Sequence, residues 1–138
     1  MIHRLIFRAF VAATEDEDRV RKALSLFVPL ESISRSSATG HYGNRILILE
    51  ATLKEKEGLT FFELLKKGLP EPQLRRLQKE IQERIDDHCR FYLRLDKQAA
   101  YQGKVQLSES GDAIDLCAHI ESYPAKPDKA AKIARELL

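Results

Sequence analysis

The chain contains no apolar run approaching the about 18 to 20 residues that a membrane-spanning helix needs, and Met1 is followed by alternating arginine and apolar residues rather than a secretory leader. A cytoplasmic protein that does not engage a membrane is expected. There are only two cysteines, Cys89 and Cys117, each inside a strand-like stretch, which suits a reducing compartment better than a disulfide scaffold. Internal repeats, linkers and low-complexity tracts are also lacking. Neither charge sign dominates: 23 Lys and Arg against 21 Asp and Glu leave a net charge of +2, which permits an anionic partner without requiring one. Hydrophobic residues make up 43% of the 138, enough to build one core and too few residues for two ordinary domains, so one domain over residues 1–138 is expected.

Enzyme signatures are sparse as well. His3, His41, His88 and His119 are far apart, with no pair at the i, i+4 spacing of helical metal ligands. Cys117 and His119 share a strand face and could join His88 or Cys89, but two residues do not make a four-ligand zinc site, so no metal and no cofactor is expected. Cys89 falls on an apolar face, where a thiol is hard to ionise. Asp112, Asp115 and Glu121 show no sign of converging for general acid and base work. The loop Gly40-His41-Tyr42-Gly43-Asn44 lacks the Lys-Ser/Thr of a nucleotide P-loop, and a plain hairpin turn accounts for it more simply than an anion nest does.

Hydrophobic spacing supplies the elements. His3 to Ala12 alternates, with Leu5, Phe7, Ala9 and Val11 on one side and Arg4 and Arg8 on the other, as a half-buried strand requires. Thr14 and Glu17 form a capping box ahead of a helix with the stripe Val20, Ala23, Leu24 and Phe27, which Pro29 ends. Residues 31–39 and 45–54 read as strands joined by the 40–44 turn, and Ile46 to Leu49 predicts a central, covered second strand. A second capping box, Thr60 and Glu63, predicts a helix broken at Gly68, Pro70 and Pro72, followed by a helix with the stripe Leu74, Leu77, Ile81 and Ile85. His88 to Asp96 alternates again, turning Arg90, Tyr92 and Arg94 outward. A short helix or turn at 97–103, a brief strand at 104–107, a hairpin turn at Gly111-Asp112, a strand at 113–123 and a last helix from Asp128 complete the chain. The fold class expected is α+β: a two-layer sandwich of a mostly antiparallel sheet with helices on one face.

The four tyrosines all have basic neighbours: Tyr42 near His41 and Arg45, Tyr92 between Arg90 and Arg94, Tyr101 between Lys97 and Lys104, and Tyr123 before Lys126. Over residues 88–105, four cations against Asp96 give +3, and residues 32–49 carry Arg35 and Arg45 without an acid. Such interleaving suits RNA, because cations neutralise phosphates while phenol rings stack on bases or donate to the backbone.

At these same segments the sequence resembles the archaeal exosome-subunit-like RNA-binding protein family, whose fold is similar to that of the 5S-rRNA-binding ribosomal protein. The blocks that carry the resemblance are Ala13-Thr14-Glu15-Asp16-Glu17, Gly40-His41-Tyr42-Gly43-Asn44, Leu95-Asp96-Lys97-Gln98-Ala99-Ala100 with Gly103, and Tyr123-Pro124-Ala125-Lys126. The resemblance implies RNA association and a link to exosome or ribosomal components, with no established catalytic activity.

A non-catalytic RNA-binding protein contacting structured or double-stranded RNA is therefore expected. Phosphate contacts are assigned to Arg35, Arg45, Arg90, Arg94, Lys97 and Lys104, with His41, Tyr42, Tyr92, Gln98 and Tyr101 supplying stacking or hydrogen bonds and Lys126 and Lys129 as secondary RNA-binding candidates. Two alternatives remain at this level: a subunit that docks on a larger RNA-processing complex through the charged helix 72–85, and an RNA-cleaving enzyme using His41 or His119.

Overall fold

The computed structural model describes residues 1–39, 43 and 45–138. Five strands, β1 (Ile2–Val11), β2 (Ser34–Thr39), β3 (Arg45–Lys54), β4 (Arg90–Leu95) and β5 (Ile114–Ile120), form one sheet in the order β2-β3-β1-β5-β4. Every neighbouring pair is antiparallel. Five helices pack against it: α1 (Glu17–Leu24), α2 (Glu55–Gly68), α3 (Glu71–Glu80), α4 (Lys97–Tyr101) and α5 (Pro127–Leu137). The expected α+β class is the one observed.

Period-two alternation decides which face is covered. Leu5, Phe7, Ala9 and Val11 of β1, Leu49 and Leu53 of β3, Phe91, Leu93 and Leu95 of β4, and Ile114, Leu116 and Ala118 of β5 are buried on the helix side. Phe7 meets Phe61 of α2 edge-on with ring centroids 5.0 Å apart, and Phe27, in the turn after α1, meets Phe61 at 5.8 Å, so β1, α2 and that turn share one aromatic seam. Helix α2 lies close on the sheet because residue 58 is glycine: a Cβ there would stand 2.7 Å from a methyl of the buried Leu5.

Several local expectations are corrected. The cap of α1 is Asp16, whose carboxylate accepts from the Asp18 amide at 2.9 Å. Thr14 lies earlier, in a turn held by the Glu15 side chain on the Ala12 amide at 3.0 Å. Helix α2 starts at Glu55 directly after β3, and Thr60 sits inside it, its hydroxyl donating to the Lys56 carbonyl one turn back at 3.2 Å. Helix α3 stops at Glu80; one 3-10 turn (Gln82–Arg84) follows, and Ile85 makes a single bridge to Phe91. Cys89 takes φ 60°, so β4 begins at Arg90, two residues after the start of the alternating stretch at His88. Residues 104–107 form no strand, only a bridge between Leu107 and Leu95; β5 pairs instead with β1 and β4, so Gly111-Asp112 does not close a hairpin. Strand β3 is central as expected, but Ile46, Leu47 and Ile48 are half-buried, because β2 beyond them is exposed at every residue.

Candidate nucleic-acid interface

Among the described residues no helix lies across the opposite face of the sheet, and the strand registers arrange that face in rows. One row runs Lys54, Arg4, His119, Arg90; the next runs Thr52, Ile6, Cys117, Tyr92; the third runs Glu50, Arg8, Asp115, Arg94; Ile48 and Phe10 follow. Arg4 and Arg8 on β1 and Arg90 and Arg94 on β4 thus mark the corners of a rectangle. Four residues along a strand are about 13 Å and two strand spacings are about 10 Å, which sets its size. Tyr92 and Phe10 keep 41% and 42% of their surface exposed, beyond what a sheet face closed by packing would leave.

Beside β4, the end of α3 and the 3-10 turn raise a wall, leaving a cleft of about 960 Å³ over this face. Its arginines are each matched to a carboxylate. Arg8 donates to Glu50 at 2.7 Å, Arg90 to Asp86 at 2.8 Å, Arg84 to Glu80 at 2.9 Å and Arg76 to Glu109 at 2.6 Å, while Arg94 and Asp115 are 3.4 Å apart. The Arg76 Nε is buried without a hydrogen-bond partner. Arg4 and Lys54 have no carboxylate partner among the described residues.

Asp86 organises the start of β4. Partial burial pushes its pKa up, but the amides of Arg90 and His88, the Tyr92 hydroxyl and the Arg90 guanidinium outweigh this and hold it at about 2, against an ordinary 3.8. Burial and the bond to Asp86 push Tyr92 up to about 12, so its phenol stays protonated. Burial raises the Cys117 thiol, and burial together with Arg4 and Arg90 lowers the His119 imidazole. The pair, 3.8 Å apart, is thereby biased toward neutral forms near pH 7, the wrong electrostatics for an activated nucleophile. Among the described residues, no group of three His, Cys, Asp or Glu side chains converges as metal ligands do.

Of the residues picked from the sequence, Arg90, Tyr92 and Arg94 lie together on this face. Among the described residues, the others do not join them. Arg35 pairs in register with Leu49, placing it on the helix side of the sheet, where it donates to Glu17 at 2.9 Å. The two arginines, Arg35 first and then Arg21, hold the Glu17 carboxyl below its usual range. Arg45, opposite Thr39, shares that side. Lys97 is 6% exposed, donating to the Phe10 carbonyl at 2.7 Å and to Asp112 at 2.6 Å, with Glu15 at 3.2 Å. Its ammonium is thus spent inside the protein, joining α4 to the turn before α1. Tyr101 lies under Lys22, 4.7 Å from the ring centroid, with Gln98 nearby on the same helix. Lys104 is exposed just beyond α4, and Lys126 is exposed past the end of β5. His41 and Tyr42 lie outside the described residues. Arg4, Arg8 and Lys54 were missed; alternation had already turned Arg4 and Arg8 away from the core, but nothing local ties them to β4.

A family model described as RNA binding matches residues 4–120, from β1 to the end of β5. The chain is 32% identical to an RNA-binding protein of Pyrococcus abyssi over 143 residues, which cover 99% of this chain and 93% of that protein. A solved structure of a protein from Archaeoglobus fulgidus is 36% identical, superposes with a TM-score of 0.89 and covers 100% of both chains. Another, from Methanothermobacter thermautotrophicus, is 34% identical with a TM-score of 0.85, covering 100% of this chain and 98% of that one.

Proposed function

Because the chain belongs to the RNA-binding family whose model matches residues 4–120, we propose that it is a non-catalytic protein that takes structured RNA on the open sheet face, as an accessory to exosome-type RNA processing or to ribosome-related assemblies. The observation that carries this is the register that sets Arg4, Arg8, Arg90 and Arg94 at four corners of one uncovered face with Tyr92 between two of them. A phosphate backbone laid across that face meets Arg4 and Lys54 without displacing any carboxylate. At Arg94 it competes with Asp115 across 3.4 Å, the longest of the arginine pairings on the sheet itself. Shape and backbone contacts of this kind suit duplex or otherwise structured RNA, whose base edges are poorly accessible.

The test is a charge reversal. Arg90→Glu with Arg94→Glu lowers affinity for a structured RNA at least tenfold and flattens the salt dependence; unchanged affinity would overturn the proposed face. The same experiment addresses the docking alternative, which the pairing of every cleft arginine with a carboxylate favours: a docking subunit has little RNA affinity to lose. For the non-catalytic part, labelled RNA incubated with and without divalent metal stays intact, and cleavage abolished by His119→Ala would refute it.

A further inference from the structure

A β-sheet exposes a row of backbone amides and carbonyls along each outer strand, and the two edges here are treated differently. The β4 edge is closed. Ile85 bridges Phe91 and Leu107 bridges Leu95; the Asp86 amide donates to the Arg90 carbonyl, the Ser108 amide to that of Arg94, and the Arg84 guanidinium to that of Tyr92. The β2 edge has no such cover among the described residues. All six residues from Ser34 to Thr39 are exposed, and they pair with β3 in unbroken register. The strand contains none of the devices that keep edges apart: no proline, no bulge and no lysine, and its single charge, Arg35, is engaged with Glu17.

We propose that the β2 edge is a self-association surface, on which a second copy of this chain adds its own β2 antiparallel across a two-fold axis at Ser37. A two-fold axis perpendicular to the sheet keeps the helix-covered faces on one side, which fixes the parity of the register. In the register centred on Ser37, Arg35 faces Thr39 of the second copy and Ser36 faces Ala38, so no like charges are opposed. The alternative centred on Ser36 brings the two Arg35 side chains closer by two residues along the strand. Since the β4 edge is already closed, the assembly ends at two copies rather than growing into a filament. Both open faces then lie on the same side of a ten-stranded sheet.

This inference is independent of RNA binding, and its test contains no RNA. Sedimentation velocity of the full chain across the micromolar range shows a species of twice the 15.8 kDa chain mass. Ser37→Glu or Ser37→Lys alone sets a charge against its own twin and weakens the dimer about tenfold, whereas an equimolar mixture of the two variants restores it. That restoration also demonstrates that both variants fold. A wild-type chain that stays monomeric, assemblies larger than two, a dimer indifferent to both substitutions, or a mixture that fails to recover would each overturn the proposal.

Discussion

Asp86 and Lys97 show what a single side chain does in this molecule. Asp86 gathers two amides, a phenol and a guanidinium at the entry to β4. Its carboxyl titrates at about 2 in the folded chain and at 3.8 ordinarily, so its contribution to stability is fully present above about pH 4 and disappears as pH falls through about 2. Asp86→Asn is therefore expected to lower the unfolding free energy by about 2 kcal/mol at pH 7, with wild type and variant converging near pH 2 in urea titrations. Lys97 is a different case: sequence offered it as a phosphate ligand, yet its ammonium is buried against Phe10, Glu15 and Asp112. Lys97→Met keeps the aliphatic stem but strands those acceptors. Partial hydration of the two carboxylates limits the loss to about 2 kcal/mol, read from the urea midpoint, while RNA affinity changes less than twofold in buffer that keeps the variant folded.

At the level of elements, helix starts were the weakest part of the sequence pattern. Thr14 and Glu17 satisfy the spacing of a capping box, but Asp16 holds the extended conformation and accepts the amide, and Glu17 turns to Arg21 and Arg35. Asp16→Ala is accordingly expected to cost about 1 kcal/mol in thermal or chemical denaturation, with Thr14→Ala nearly neutral. The same spacing at Thr60 marked a position inside α2, because a helix launched straight from β3 needs no Ser/Thr cap to begin. Alternating strands were more readable. The inward residues of β1 and β4 are those the sequence placed there, since a period of two is a local property and burying one face punishes a slip by a single residue. Residues 104–107, expected as a brief strand, reach the outer edge of β4 only through the bridge of Leu107 to Leu95, while β5 takes the inner side.

For the whole molecule, the decisive quantity is how many cations reach one polyanion. With the proposed face intact, the logarithm of RNA affinity falls steeply with the logarithm of salt; Arg90→Glu with Arg94→Glu is expected to reduce that slope by about two, and Arg35→Glu to leave it unchanged, in filter-binding or anisotropy titrations. The contrast follows from the sheet. Arg35 and Arg90 are equally basic in sequence, but the first lies on the helix side against Glu17 and the second on the open side. By itself the sequence determined the α+β class, the strands that carry one buried face, and the outward turn of Arg4, Arg8, Arg90, Tyr92 and Arg94, because amphipathic period is written in neighbouring residues. Only the tertiary structure decided that β1 and β4 flank the same strand, that Lys97 is consumed internally and that Asp86 anchors the phenol of Tyr92. Those are pairings between residues far apart in the chain, fixed by which surfaces bury together rather than by any local pattern.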